Sequence, residues 1–231
     1  LFPDQTYGLA MMISNWAETT LFDLSVRLVL THALGKVPEE FIRDRGSLYF
    51  ESNWTEASLR AALPSVMHEL GASLGFVEAH LGATEGVYLA GHQPCYGDAA
   101  IGYICWFLRG RWDGGAALLA NYPALCVLAA ALDQLGDDKP QDLDAEAALA
   151  IAKAAMPQSP IGIIDGASSL AIGQRVMIRQ KGETADPDVV GTLRYCDAMR
   201  ISIDHSHEQV GVVAVHFPVI GYVMNPIDLA V

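Results

Sequence analysis

The chain is poor in the residues and motifs that announce most chemistries. Its four cysteines, at 95, 105, 126 and 196, lie far apart and form no CxxC pair, and three of them sit in apolar helical text. That spacing points to buried thiols in a cytoplasmic protein rather than to a disulfide framework. No lysine-rich start precedes an apolar run, so no signal peptide is legible. Cations are scarce: 14 Lys and Arg stand against 27 Asp and Glu, a net charge of −13. Such a balance excludes the basic surface that nucleic acid or an anionic membrane would require. Residues 1–157 hold 9 of the basic and 19 of the acidic residues, as a solvated helix surface would. Long hydrophobic runs are missing as well. The most apolar window, Ala116 to Leu132, is interrupted by Asn121 and Pro123 and is too short to span a bilayer, so it reads as core helix. There is no phosphate-cradling glycine loop, no GxSxG and no HExxH.

What is present is helical periodicity, then its replacement. Tyr7, Ala10, Met11, Ser14, Ala17, Leu21, Leu24 and Leu28 recur three or four apart, which predicts one long helix over residues 5–34. A short helix is expected around Glu39–Arg45. Leu59, Leu63, Val66, Met67, Leu70, Leu74, Val77 and Leu81 define an amphipathic helix over 56–82, with a kink or restart at Pro64 and Gly82 as its terminator. Further helices are predicted at Pro123–Leu135 and Asp144–Met156, with Asp137–Pro140 as a loop between them.

From about residue 162 the period becomes two. Val176 and Ile178 alternate with Met177 and Arg179, Ile201 and Ile203 with Arg200, Ser202 and Asp204, and Val213, Val215 and Phe217 follow the same rule. The predicted fold class is therefore α+β: a helical bundle over 1–157, then a small antiparallel β domain, barrel or sheet, over 162–231.

The segment Tyr88-Leu89-Ala90-Gly91-His92-Gln93-Pro94-Cys95-Tyr96-Gly97-Asp98-Ala99-Ala100 feeds directly into an apolar helix. With Cys95 as N-cap, Asp98 is the third helical residue, placed to accept the cap's own backbone N–H and to face the positive end of the helix dipole. Pro94 and Ala99 occupy the positions of a hydrophobic staple. This pattern resembles the capping segment of the core helix in the C-terminal, all-helical domain of glutathione transferases. The likeness extends to Phe76–Leu81, Trp106–Gly110 and Tyr122–Leu125, in order, over roughly residues 1–157. Cys95 and Gly97 depart from the Ser or Thr and the Ala usual in that family. Cysteine is a weak acceptor, so the reciprocal half of the box is weakened.

The resemblance implies conjugation of the glutathione thiol to a small-molecule electrophile, with the helical domain lining the electrophile pocket. Met11, Met12, Asn15 and Trp16 are the pocket candidates by family position, with packing against neighbouring helices as the other reading. Glutathione enters only as the co-substrate so implied. The catalytic residue belongs to a thioredoxin-like domain that precedes the helices in this family and that no residue here matches. The opening Leu1-Phe2-Pro3-Asp4 reads as the middle of a protein, and this chain alone is expected to be inactive. A rival reading is a non-catalytic binding or scaffold protein with the β module as its recognition surface.

Several further polar groups admit either a functional or a structural role. Cys95 is either a thiol activated by a helix N-terminus or an inert buried one. Arg109 and Arg111 either bind a carboxylate or satisfy the last carbonyls of their helix. Asp204, His205, His207 and His216 form the only metal-like grouping, and an exposed hairpin with incidental histidines is the preferred reading, with no metal expected. Trp16, Phe22 and Val29 fall off the main stripe of the first helix and mark the surface on which a homodimer, common in the family, would form.

Overall fold

The computed structural model describes residues 6–135, 141–158, 160–164, 166–181 and 187–227. The predicted loop Asp137–Pro140 and the opening Leu1–Asp4 lie outside them. The chain divides into two compact units, Leu1–Asp138 and Lys139–Val231. The Ala-rich helix assigned to the helical half on sequence therefore falls in the second unit.

The first unit is helical. Where one helix was expected over 5–34, α1 (Tyr7–Trp16) runs through a π-helical turn, Ala17–Leu21, into α2 (Phe22–Ala33) with helical backbone angles at both joints. Hydroxyls crowd this stretch. Thr19 Oγ1 donates to the Asn15 carbonyl and Ser25 Oγ to the Leu21 carbonyl, each at 2.7 Å, competition that loosens a helical ladder. Of the predicted stripe, Ala10, Ser14, Ala17, Leu21, Leu24 and Leu28 are buried across the wider turn, whereas Tyr7 is exposed and Met11 half-buried. The short helix α3 (Glu39–Tyr49) is one turn longer than the Glu39–Arg45 expected. It carries Gly46 because a Cβ there would collide with the Trp54 indole.

The 28-residue α4 (Glu56–Ala83) continues through Pro64 without restarting. Pro64 and its neighbours on the preceding turn are exposed, so water can reach the carbonyl left without its helical donor. Thr55 and Ser58 cap the helix reciprocally, at 3.0 and 2.9 Å. Gly82 lies inside the helix rather than beyond its end, and Thr84 closes it.

At the centre stands α5 (Tyr96–Arg111), whose Ile101, Ile104, Cys105 and Leu108 are all at or below 1% exposure. It packs against α1, the π-turn, α2, α6 (Gly115–Leu119) and α7 (Pro123–Asp133), while α4 packs on α2 and α7. The apolar window Ala116–Leu132 holds two helices, the second starting at Pro123 as the sequence predicts. The Glu78 carboxylate of α4 accepts the Ala124 and Leu125 amides at 3.0 and 2.9 Å, an N-cap for α7 supplied from another helix.

The start of α5 is held by Asp98. Its carboxylate is fully buried and accepts two backbone N–H groups, those of Leu89 and Cys95, both at 2.7 Å. The bond to Cys95 is the one the sequence predicts. The bond to Leu89 also fastens the preceding loop to the helix. Ala99, the expected staple partner of Pro94, is exposed.

The second unit holds α8 (Ala145–Ala154), capped by Asp144 on the Ala147 amide at 2.7 Å, and then the sheet. The strands are β1 (Gly162–Ile163), β2 (Arg175–Gln180), β3 (Val189–Cys196), β4 (Arg200–His207), β5 (Gly211–Pro218) and β6 (Tyr222–Pro226), in the order β5-β4-β3-β2-β6, with β1 parallel to β3 and the rest antiparallel. The alternatives of sheet and barrel resolve geometrically. β5 and β6 lie at opposite edges, about 19 Å apart if the sheet were flat. The link from Pro218 to Tyr222 spans at most about 15 Å. The sheet therefore curls, and the Phe217 and Tyr222 rings, 5.3 Å apart, help bring its edges together. Val176, Ile178, Leu193, Cys196, Ile201, Ile203 and Phe217 fill the interior. Arg194, paired with Asp204 at 2.9 Å, donates to the Pro157 and Gln158 carbonyls and ties that linker to β3.

Asp98→Ala strands two buried backbone donors, each worth about 1–3 kcal/mol when unsatisfied. A loss of about 3 kcal/mol in urea denaturation is expected, with Cys95→Ser neutral or stabilising. An unchanged midpoint for the Asp98 variant contradicts this account of the segment.

Candidate functional site

The π-turn and the first half of α5 enclose a cavity of about 360 Å³, lined by Ala17, Glu18, Phe22, Tyr96, Ala99, Ala100, Tyr103 and Ile104. Its size falls in the range of small-molecule sites. Its construction follows from the local sequence. The wide turn displaces the helix by one residue, and two alanines on the facing helix leave the space that larger side chains would fill. π-turns recur at functional sites for this reason.

One polar device sits in an otherwise apolar wall. The Tyr96 hydroxyl donates to Glu18 Oε1 at 2.5 Å. The bond to that carboxylate, with burial and the adjacent negative charge, pushes the phenol up to about 12. Tyr96 is therefore a neutral hydroxyl at physiological pH, and Glu18 offers a second carboxylate oxygen. The arrangement can orient a polar substituent on an apolar molecule.

The four family-position candidates lie on the turns just before this cavity. Met12 and Asn15 are exposed, Met11 is half-buried, and Trp16 is half-buried against the helical core. The cavity walls come instead from Ala17, Glu18 and Phe22 of the same helical run, and from α5. Sequence periodicity could not locate them, because a π-turn leaves no spacing signature in a stripe that remains apolar. The Glu18–Tyr96 pair joins residues far apart in sequence and had no local signal at all.

The dimer stripe needs correction. Val29 is buried at 7% exposure, and Trp16 and Phe22 pack against the helical core. Phe22 sits among Tyr49, Tyr103 and Phe107, with ring centroids 5.6 to 5.8 Å away. These residues are covered within their own unit and expose no continuous stripe.

Among the cysteines, all free, Cys95, Cys105 and Cys196 are buried and Cys126 is exposed, against the expectation of buried thiols throughout. Desolvation raises Cys95, and its contact with Asp98 raises it further, which removes the case for an activated thiol. Burial pushes Cys105 up to about 12.

The histidines are engaged separately. His205 Nδ1 lies 2.8 Å from the Val190 carbonyl, His216 Nδ1 2.6 Å from Ser202 Oγ, and His207 Nδ1 accepts the Gln209 amide. No metal-holding group occurs among the described residues. Nor is any described helix long and apolar enough to cross a membrane. Arg109 pairs with Asp133 at 3.3 Å, whereas Arg111 lies over the Trp106 ring.

No protein-family model and no curated protein matches the chain. Among solved structures, the chain is similar to a GST-like protein from Pseudomonas syringae, with a TM-score of 0.63 and 22% identity. The match covers 97% of this chain and 70% of that one. The likeness supports a GST-like fold for the chain.

The Tyr96–Glu18 bond gives a pH signature. A phenol raised from 10.0 to about 12 contributes stability that is complete below pH 10 and lost as pH rises through about 12. Wild type should exceed Tyr96→Phe in urea stability at about pH 8 and lose that advantage near pH 12. A difference between the two that does not change with pH contradicts the pairing.

Proposed function

We propose that this chain is the C-terminal part of a glutathione-transferase-like protein, and that its helical unit binds the electrophile. The cavity between the π-turn and α5 carries this reading, because it offers an apolar volume of ligand size with one oriented hydroxyl–carboxylate pair. The structural likeness supports it. About 30% of the Pseudomonas syringae chain lies outside the match, on the order of a hundred residues and enough for a separate domain.

In this reading a thioredoxin-like domain outside the chain supplies glutathione and the donor that lowers its thiol pKa. The thiolate sulfur attacks the electrophilic carbon, the leaving group departs with the bonding pair, and the thiol proton goes to solvent. Tyr96 and Glu18 orient the electrophile, Met11, Met12, Asn15 and Trp16 flank its entry, and the protein acts in the cytoplasm as a homodimer whose interface lies elsewhere than on Trp16, Phe22 and Val29. A binding or scaffold role for the second unit is the alternative, supported by exposed Val212 and Val223 on the two edge strands.

The test uses the protein expressed from its complete reading frame. Retention on glutathione-agarose and conjugation of aryl electrophiles are expected. Ala99→Trp, at the exposed lip of the cavity, should raise KM for the electrophile severalfold and leave that for glutathione unchanged. Neither retention nor conjugation across a panel of electrophiles would exclude the transferase reading and favour the binding module.

A further inference from the structure

A second cavity, of about 450 Å³, opens between α2, α3 and α5. The Phe22 and Tyr103 rings, 5.8 Å apart, line both cavities and stand between them. Val26, Leu30 and Phe107 make the second cavity apolar, and Tyr49 adds a further aromatic face. Two cations line it as well: Arg45 from α3 and Arg111 from the last turn of α5.

In a chain of net charge −13, two arginines from separate helices converging on one apolar cavity are an exception to the surface around them. Neither is spent on a strong partner. Arg45 lies over the Phe41 ring and 3.6 Å from Asp44, a pair in which both side chains are substantially exposed and which is therefore weak. Arg111 lies over the Trp106 ring, 5.5 Å from its centroid, and among the described residues it carries no ion pair. A guanidinium over a ring face keeps its N–H groups for a further partner, and that planar fork of donors matches a carboxylate.

We propose that this cavity is a binding site for an arylcarboxylate, with the aromatic body among Phe22, Tyr49 and Phe107 and the carboxylate at Arg45 and Arg111. The site is separate from the Glu18–Tyr96 cavity and stands whether or not that cavity binds an electrophile. It exists because α3 packs on α2 and contributes Phe41, Arg45 and Tyr49 to the wall. Gly46, which lets Trp54 lie against α3, helps hold in place the helix that bears Arg45.

Isothermal titration of the 231-residue chain with 2-naphthoate tests it, with 2-naphthalenemethanol as the neutral counterpart. The carboxylate should bind saturably and more tightly than the alcohol, and less tightly as salt is raised. Arg45→Gln and Arg111→Gln should each weaken naphthoate about tenfold, the loss of one charge-assisted hydrogen bond, and leave the alcohol unaffected. Ala33→Trp, on the cavity wall, should abolish binding of both, with an unchanged far-ultraviolet spectrum showing that the fold is kept. No saturable naphthoate binding, or equal binding by the arginine variants, overturns the proposal. So does binding that survives those variants and is lost in Ala99→Trp, since the ligand then occupies the first cavity. Failure of glutathione conjugation leaves these expectations untouched, so the two readings fail independently.

Discussion

The helical unit depends on one buried charge. Asp98 sits where the chain turns from an irregular loop into the central helix, and its two oxygens take the amides of Leu89 and Cys95. A carboxylate fully removed from water persists only with such partners, here assisted by the positive end of the helix dipole. The consequence is geometric. Once the loop is fastened to the start of α5, Tyr96 is aimed at Glu18, and Ile101, Ile104 and Leu108 are aimed at the facing helices. The cavity wall is thus set by a capping carboxylate whose oxygens are taken up by backbone amides.

The same division of labour recurs across the unit. Glu78 caps α7 from a neighbouring helix, so α4 and α7 are fixed in register as well as packed. The π-turn works in the opposite direction. It relaxes the ladder between two well-packed halves and leaves the space that a regular helix would have filled. Rigid capping around one loosened turn is a physical recipe for a preformed pocket.

Much of the fold was legible because apolar spacing survives local irregularity. The stripe Leu59–Leu81 gives α4, and the change of period near residue 162 gives the sheet. The Asp98–Cys95 bond follows from the position of a carboxylate three residues after a cap. What escaped reading has a common cause, which is dependence on distant partners. Periodicity places Val29 off the main face but cannot show that α3 and α5 cover a second face of the same helix. Nor can it show that a helix continues through Pro64. The Glu18–Tyr96 pair was invisible for the same reason, being made by tertiary contact alone. Strand alternation likewise left barrel and sheet open until the short β5–β6 link decided for curling.

The electrophile-binding role of the helical unit requires that the cavity between the π-turn and α5 receive an apolar molecule. An amide-resolved nuclear magnetic resonance titration with 1,3-dinitrobenzene, an unreactive aryl analogue, addresses this directly. Saturable shifts confined to residues 17–22 and 96–104 are predicted, and Ala99→Trp should suppress them. No saturable shifts, or shifts centred on the strands of the second unit, would contradict the account.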